Sequence, residues 1–316
     1  MLIGNKAIKE STIRTLIAAI RSKKELQHLN EEFIHEHIQQ YLTQHPKAAA
    51  LLAKGAAPGF STRSAHYKKI IKDVRASLRK VYGLFRTREQ ELKRKELLEE
   101  LSVSPAHLRS ICQAILDTHP PTRERLPFYE NFYRKLFRIT GEPSSILDLG
   151  CGLNPFSLVF MKAKTVTYYA YDIDEEEISL LNKFFAQLHK HNPAWKGRAD
   201  ILDLLHWARL SHLKKMDLCF LLKMTDVLDR GKGHKATEAV IRMVPAGYVV
   251  VSFPTLTMSG RKMNVPQRRW IEWMCRRLGY GYAVLEFETE IFYVLNKEKK
   301  GLKKEPPTNN QGFQER

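Results

Sequence analysis

The chain has 316 residues, of which 43% are hydrophobic, and it carries a formal net charge of +18 with a sequence pI near 9.7. That hydrophobic content is enough for a packed core and excludes an intrinsically disordered chain. The excess of positive charge favours a polyanionic partner, nucleic acid before an anionic membrane surface, with a basic soluble enzyme as the alternative.

The first 140 residues are the more basic part, with 26 Lys and Arg against 14 Asp and Glu. Their apolar residues recur at helical spacing, which predicts an all-α domain over residues 1–140. Helices are expected over residues 97–101, 106–116 and 128–137, and residues 48–59 are expected to form a loop or a weak helix.

Within that part, residues 61–95 predict a helix with two separate stripes. The apolar stripe consists of Ile70, Val74, Leu78, Val81 and Phe85. The cationic stripe consists of Lys68, Lys72, Arg75 and Arg79. Because Asp73 is the one acid between Arg63 and Arg88, we expect the cationic stripe to bind RNA phosphates rather than to be a merely solvated face.

From Ser145 onward, strand and helix patterns alternate, which predicts a parallel sheet covered on both faces. Strands are expected over residues 146–149, 165–171, 218–222 and 247–253, and helices over residues 176–189, 235–244 and 267–278. Two nearly contiguous strands, 283–288 and 290–296, predict an antiparallel hairpin at the sheet edge. We therefore expect an α/β domain over residues 141–297 and a polar, flexible tail over residues 298–316.

The first of these strands lies in the stretch SSILDLGCGLNPFSL, residues 144–158, and is followed by a turn that contains two glycines. Ligands of open α/β sheets bind at the carboxyl ends of strands, and Gly150 and Gly152 allow a close backbone approach there. Asn154 and Pro155 predict the start of a helix. Asp172 ends the second strand, where its carboxylate can accept hydrogen bonds from both hydroxyls of a ribose.

The glycine loop lacks the third glycine that a pyrophosphate requires, so a nucleoside cofactor without phosphates fits better. This pattern is typical of class I S-adenosylmethionine-dependent methyltransferases, a Rossmann-like fold with a mostly parallel seven-stranded sheet. In that fold, an acid such as Asp200 contacts the adenine amino group and the next backbone N–H contacts a ring nitrogen. Asp200 or Asp203 could instead be a helix N-cap.

The residues also limit the target atom. No N/D-P-P-Y/F loop for exocyclic amines follows the strand that ends near Leu222, and Cys219 and Cys275 read as core residues rather than nucleophiles. Ring nitrogens and ribose hydroxyls remain. Guanine N7 is attractive because it carries a lone pair and no proton, so no general base is required.

The chain resembles the aminoglycoside-resistance 16S rRNA (guanine-N7) methyltransferases from about residue 10 to residue 297. The resemblance is carried by residues 79–85 (RKVYGLF), 119–125 (HPPTRER), 148–157 (DLGCGLNPFS), 172–174 (DID), 222–229 (LKMTDVLD), 252–261 (SFPTLTMSGR) and 289–293 (TEIFY). It implies methylation of N7 of guanosine 1405 in the decoding site of the 30S subunit, with S-adenosyl-L-methionine as cofactor, and it implies aminoglycoside resistance.

The resemblance also implies roles for single residues. Arg125 would bind the methionine carboxylate, a planar bidentate task that suits a guanidinium, although an ion pair with Glu124 or Glu130 is the alternative. The cofactor contacts would be Phe85, His119, Thr122, Arg123, Arg125, Gly150, Asp172, Asp200, Ile201 and Leu222. Ser252, Phe253, Pro254 and Arg261 would position the target guanine, with Arg261 on RNA. The role of Lys223 is not assigned.

Three alternatives stay open. The enzyme could methylate another site in rRNA or tRNA, or a small molecule. It could also be a non-catalytic RNA-binding protein with a methyltransferase-like fold, although a binder need not keep Gly150, Gly152 and Asp172. The apparent insertion at residues 48–66 leaves the target nucleotide and a housekeeping role open.

The four cysteines, one of them in the glycine loop, form no C-x-x-C pair and have no zinc-site spacing. We expect no metal and a reduced intracellular setting. With no visible secretory signal and no apolar stretch long enough to cross a bilayer, the sequence predicts a cytoplasmic monomer without a membrane part.

Overall fold

The computed structural model describes residues 1–53, 64–82, 88–103, 107–229, 233–257 and 260–298. The chain begins with a two-strand antiparallel pair, β1 (Leu2–Ile3) and β2 (Lys6–Ala7). Eight helices follow: α1 (Glu10–Arg21), α2 (Glu31–Gln44), α3 (Pro46–Ala53), α4 (Ala65–Tyr82), α5 (Arg88–Val103), α6 (Leu108–Asp117), α7 (Pro120–Arg123) and α8 (Tyr129–Thr140). The expected helical character of residues 1–140 is confirmed for the part that the structure describes.

The remaining strands are β3 (Ser145–Leu149), β4 (Val166–Asp172), β5 (Trp195–Ile201), β6 (Met216–Leu222), β7 (Ala246–Pro254), β8 (Gly281–Glu286) and β9 (Glu290–Asn296). The helices among them are α9 (Glu175–His191), α10 (Thr225–Asp229), α11 (Lys235–Met243) and α12 (Arg269–Leu278). The strand order is β5-β4-β3-β6-β7-β9-β8, with β3, β6 and β7 parallel and β9 antiparallel to both β7 and β8. This confirms the expected fold class, a mostly parallel seven-stranded sheet that ends in an antiparallel hairpin.

Residue contacts divide the chain into two compact units. The first unit consists of Met1–Arg123, Gly152–Ser157 and Tyr169–Asp203, and the second of Glu124–Cys151, Leu158–Tyr168 and Leu204–Arg316. The expected functional division into residues 1–140, 141–297 and 298–316 stays a prediction, and residues 299–316 lie outside the described part of the chain.

The core of the first unit forms where α1, α2 and α4 bury their apolar stripes together. Residues of this cluster include Ile13, Leu16, Phe33, Ile38, Ile70, Val74 and Leu78. The apolar stripe predicted for α4 is therefore confirmed as far as Leu78. Removing such side chains from water supplies the main driving force for this packing.

In the second unit, the buried face of α8 meets the sheet. The Phe132 ring lies 4.4 Å from the Phe292 ring and 6.4 Å from the Phe220 ring, as centroid distances. Aromatic pairs at such tilted geometries add to the area that they bury. The packing fixes α8 against β6 and β9, and with it the segment around Arg125 that precedes α8.

Two local expectations are corrected. Strand β5 has no counterpart among the strands read from the sequence, because Lys, Gly, Ala and Asp, which make up most of it, are residue types depleted in strands, and because as an edge strand it buries only Ala199. Its charged residues, Lys196, Arg198 and Asp200, all lie on one face. Its Gly197 is needed, since a Cβ there would lie 2.0 Å from the Phe185 ring. The helix expected after Asn154 is a 3-10 helix over Asn154–Phe160, in which the Asn154 carbonyl accepts a hydrogen bond from the Ser157 hydroxyl at 2.6 Å. Among the described residues, no helix is long and apolar enough to span a bilayer.

The start of α9 holds a buried carboxyl group. Asp174 caps the helix by accepting a hydrogen bond from the Glu177 N–H at 2.7 Å, and burial together with the Glu177 and Glu176 carboxylates raises the pKa of Asp174 to about 8. Arg94 pairs with the neighbouring Glu177, with its Nη1 3.4 Å from a Glu177 carboxylate oxygen. The pKa of Asp174 is higher in the folded chain than its ordinary value. The protonated carboxyl therefore contributes fully to stability below about pH 4, and this contribution is lost as the pH rises through about 8.

We therefore expect Asp174→Asn, which keeps a capping oxygen, to stabilise the chain more at pH 8 than at pH 5. The expected difference is at least about 1.4 kcal/mol, the equivalent of one pKa unit. Urea unfolding of the wild type and the variant at both pH values measures it, with the exposed Asp226→Asn as control. An equal change in stability at the two pH values would contradict the burial of an ionisable carboxyl here.

Candidate active site

In the first unit, the Asp172 carboxylate organises the glycine loop. Its Oδ2 accepts a hydrogen bond from the Gly152 N–H at 2.9 Å and its Oδ1 accepts one from the Ile173 N–H at 2.7 Å. A carboxylate oxygen has two lone pairs, so a carboxylate that binds the backbone can also be a hydrogen-bond acceptor for ligand hydroxyls. Gly152 has a φ of +47°, and a Cβ there would lie 3.6 Å from the His119 ring. Asp172, Gly152 and His119, all predicted from the sequence or the resemblance, therefore lie together.

The end of β5 places a second carboxylate in the first unit. The exposed Asp200 pairs with Arg198 at 3.0 Å and accepts a hydrogen bond from the Ile201 N–H at 3.0 Å. The Leu202 N–H donates to the Asp172 carbonyl at 3.0 Å, which ties this loop to the end of β4. The Ile201 N–H, expected to contact an adenine nitrogen, is bound by Asp200 in this structure, and the expected adenine contacts stay predictions.

The HPPTRER segment has local roles in the first unit. Thr122 is buried and donates its hydroxyl hydrogen to the Leu116 carbonyl at 2.6 Å. The Nε of Arg123 donates to the Asp117 carbonyl at 2.7 Å and lies 3.1 Å from the Asp117 carboxylate. These contacts hold the segment in place, and they give Thr122 and Arg123 a structural role beside the predicted one. Phe85 lies outside the described residues.

In the second unit, Gly150 directly follows β3 and places no side chain at the end of that strand. It has a φ of +66°, and a Cβ there would lie 2.4 Å from the Met224 sulfur. A residue with a side chain would be strained by that backbone conformation even if Met224 moved. Leu222 is buried at the end of β6. The backbone conformation and the Met224 contact therefore both require a glycine at position 150, and Gly150 and Leu222 lie at the carboxyl ends of β3 and β6.

Arg125 is buried and bound by a carboxylate that the sequence did not suggest. Its Nε and Nη2 each donate to one oxygen of Glu290 at 2.8 Å, and the two side chains are 3% and 0% exposed. Burial alone would lower the pKa of Arg125, but the Glu290 carboxylate reverses this effect and the pKa lies above its ordinary value. The partner is therefore neither Glu124 nor Glu130, the two local alternatives.

Lys223 is the second cation on Glu290. Its Nζ lies 3.5 Å from Glu290 and 2.5 Å from Glu124, and its backbone N–H donates to the Ser252 hydroxyl at 3.0 Å. Lys223 also has a φ of +56°, which is uncommon for a residue with a side chain. The four side chains, Glu124, Arg125, Lys223 and Glu290, form a charge cluster. This cluster gives Lys223 the role that the sequence left open.

The segment from Ser252 to Arg261 begins buried and ends exposed. Ser252 and Phe253 are buried, Pro254 is half-buried and Arg261 is exposed. The Phe253 ring packs under the Arg268 guanidinium at 5.1 Å, so it supports the segment from within. The Thr257 N–H donates to the Arg261 carbonyl at 2.8 Å, so Arg261 lies directly opposite Thr257. Residues 258 and 259 lie outside the described part.

The cationic stripe of α4 divides into two pairs. Lys68 and Lys72 are exposed, and neither has an ion-pair partner among the described residues. Arg75 instead donates to the Ala19 carbonyl and to the Ser22 hydroxyl. Arg79 donates to Glu25 through Nε at 2.8 Å and Nη2 at 2.6 Å. Only the two lysines are therefore fully available to an external partner.

Comparisons with known proteins give matches to a family model and to curated relatives. The family model for ribosomal RNA methyltransferase (FmrO) matches residues 11–294. A 16S rRNA (guanine(1405)-N(7))-methyltransferase from Proteus mirabilis is 25% identical over 246 residues, which cover 73% of this chain and 85% of the relative. The enzyme of the same name from Micromonospora echinospora is 31% identical over 193 residues, covering 60% of this chain and 67% of the relative.

Solved structures show the same fold. The 16S rRNA methyltransferase RmtF in complex with S-adenosyl-L-homocysteine aligns with a TM-score of 0.66 and 24% identity, covering 92% of this chain and 99% of that chain. The 16S rRNA methylase RmtB aligns with a TM-score of 0.65 and 20% identity, covering 90% and 98%. The likeness therefore extends over the helical part and the α/β part.

Proposed function

The chain belongs to the ribosomal RNA methyltransferase (FmrO) family, and from that premise we propose that it methylates N7 of guanosine 1405 of 16S rRNA in the 30S subunit and so confers aminoglycoside resistance. The observation that carries the proposal is the name shared by relatives at 25–31% identity, 16S rRNA (guanine(1405)-N(7))-methyltransferase. The enzyme is proposed to be cytoplasmic and monomeric and to need no metal.

The residues fit S-adenosylmethionine. Gly150 and Gly152 both have positive φ and no Cβ, and the Asp172 carboxylate lies beside the Gly152 N–H. We assign Asp172 to the ribose hydroxyls, Asp200 and Ile201 to the adenine, Gly150 to the methionine moiety and Leu222 to the lining of the cofactor. We assign Arg125 to the methionine carboxylate. The cofactor supplies a methyl group made electrophilic by its positively charged sulfur.

The protein is proposed to bind and orient the target guanine, and the reaction requires no proton transfer. Guanine N7 has a lone pair and no proton, so a carbon–nitrogen bond can form while the carbon–sulfur bond breaks without a general base. Positive charge passes from sulfur to the base during this step. Among the described residues of the segment from Ser252 to Arg261, Thr257, Gly260 and Arg261 are exposed enough to contact RNA, whereas Ser252 and Phe253 are buried and support it from within.

Methyl transfer to isolated RNAs tests this function. Purified protein with methyl-labelled S-adenosylmethionine should label the 16S rRNA of 30S subunits and should not label tRNA. Guanosine 1405 replaced by adenosine in the subunit should abolish the label. Label that appears in tRNA, or that persists in the substituted subunit, would exclude the proposed target. If the protein bound RNA but transferred no methyl group, it would be a non-catalytic RNA-binding protein.

We further propose that the helical part, residues 1–140, docks on folded 16S rRNA through Lys68 and Lys72, where phosphates and shape dominate recognition. Charge reversal of both lysines to glutamate should weaken 30S binding and lower the salt dependence of the binding constant, by about 0.9 in slope for each lost phosphate contact. Methylation at subsaturating subunits should fall at least tenfold, and S-adenosylmethionine affinity should not change.

The variant leaves Arg75 and Arg79 in place because these side chains bind within the unit and their loss would perturb its folding. The matched control reverses Lys183 and Lys190, two exposed lysines of α9 in the same unit. If the α4 variant bound and methylated subunits as the control does, the docking assignment would be wrong.

A further inference from the structure

The outward face of α12 combines arginines with an exposed tryptophan. Trp273 is 63% exposed, and Arg269 and Arg276 are exposed beside it. These three residues have i, i+4 and i+7 spacing, which places them on one side of the helix. The residues buried by α12 are Ile271, Met274 and Cys275, on the opposite side. The three exposed residues, which we call the α12 face, therefore add nothing to the core.

The charge around this face is strongly positive. Residues 261–277 contain six Lys and Arg and one acid, Glu272. Glu272 accepts a hydrogen bond from the Tyr282 hydroxyl at 3.1 Å, and Arg277 pairs with Glu238 at 2.5 Å. Over the ranges that the structure describes, no ion pair involves Arg269 or Arg276. The Arg276 side chain lies beside the Tyr282 hydroxyl, a neutral group that does not compensate its charge, so the charges of both arginines are available to an anionic partner.

The other tryptophan of α12 packs against neighbouring aromatic rings and so contributes to the interior of the unit. Trp270 is half-buried, with its ring stacked on His234 at 3.9 Å and edge-on to Phe253 at 6.1 Å, as centroid distances. Trp273 lies three positions further along and is turned outward. A large exposed aromatic ring between cations is a suitable platform for a nucleic acid base, because every base has a π-face and adjacent phosphates need counter-charge.

The same helix is joined to the segment that we place beside the target. Phe253 contacts both Trp270 and Arg268 at the start of α12, and the Arg268 N–H donates to the Tyr293 hydroxyl at 2.7 Å. The α12 face and the segment ending at Arg261 therefore belong to one packed assembly within the second unit. RNA held at that segment can continue onto α12.

We propose that the α12 face is a second RNA-contact surface, in which Trp273 stacks on an unpaired base of 16S rRNA and Arg269 and Arg276 neutralise adjacent phosphates. The proposal rests on the proposed function, because it takes the ribosomal subunit as the partner. An acidic protein would also attract the arginines, but a stacking platform between them favours RNA.

Two variants of the full chain that remove contacts, with Trp273→Phe as the conservative variant, separate the two contributions. Trp273→Ala should bind 30S subunits roughly tenfold more weakly with an unchanged salt slope, since stacking is lost and no charge changes. Trp273→Phe keeps an aromatic face and should bind nearly as the wild type does. Arg269→Glu with Arg276→Glu should lower the salt slope by about 1 to 2, the effect of losing two phosphate contacts.

The control reverses Arg138 and Lys235, which are exposed elsewhere in the second unit. Thermal unfolding and S-adenosylmethionine affinity should match the wild type in every variant. A wild type that methylates 30S subunits while both α12 variants bind them like the control would overturn this inference and leave the proposed function intact. A change in self-association with Trp273→Ala, without a change in subunit affinity, would overturn it in favour of a second copy of the chain. A wild type that methylates no RNA would instead overturn the proposed function.

Discussion

Replacing Glu290 with alanine is expected to lower the free energy of unfolding by about 3–5 kcal/mol. The side chain is fully buried and binds Arg125 through two hydrogen bonds of 2.8 Å, and it also lies 3.5 Å from Lys223. The variant would leave the Arg125 guanidinium charged and without its carboxylate in a site where water cannot replace that partner. Urea unfolding of the two proteins at neutral pH measures the loss.

The neighbouring Glu288→Ala provides the control, because Glu288 is exposed in the same turn. Replacing both Arg125 and Glu290 with leucine should recover part of the lost stability, since neither charge is then left unpaired. Cofactor binding should nevertheless be lost in that double variant if Arg125 binds the methionine carboxylate. A Glu290→Ala protein as stable as Glu288→Ala would show that the charge cluster does not stabilise the fold.

Replacing Asp172 with alanine is expected to weaken S-adenosylmethionine binding about 100-fold or more. Two hydrogen bonds from ribose hydroxyls to a carboxylate contribute about 1.5 kcal/mol or more each, and the variant also releases the Gly152 N–H that Asp172 binds at 2.9 Å. RNA affinity should stay close to that of the wild type, because no RNA contact is assigned to this side chain. Calorimetric titration with the cofactor and filter binding with 30S subunits measure the two affinities.

Asp172→Asn separates the ribose contact from the loop contact. Its amide oxygen can still accept a hydrogen bond from Gly152, so the loop should keep its shape while one charge-assisted bond to the ribose is lost. We expect an affinity between those of the wild type and Asp172→Ala. Unchanged cofactor affinity in both variants would contradict the assignment of Asp172 to the ribose.

The elements that the sequence predicted are those with strong local periodicity. The apolar stripe of α4 and the alternation of strands and helices after Ser145 each reflect which face of an element is buried, and a local pattern records that. The hairpin of β8 and β9 was predicted because two strands with almost no connection can pair only antiparallel. Strand β5 was missed because Lys, Gly, Ala and Asp, which make up most of it, are residue types depleted in strands.

The glycine loop and Asp172 were also predictable, since the chemistry needs those residue types at the ends of consecutive strands. The charge cluster was not. Arg125 and Glu290 are 165 residues apart, and Arg79 and Glu25 are 54 residues apart. Which carboxylate reaches which guanidinium depends on the tertiary fold rather than on local spacing. The same reason explains why, of the four cations of the α4 stripe, Arg75 and Arg79 bind groups of the first unit while the two lysines are exposed.

Primer extension on 16S rRNA from cells that express the protein, after chemical cleavage at N7-methylguanosine, tests the central proposal most directly. We predict one new stop at guanosine 1405, absent from cells that express Asp172→Ala, together with growth on aminoglycosides that act at the decoding site. A stop at another nucleotide, or no new stop from cells that contain the folded wild-type protein, would contradict the account.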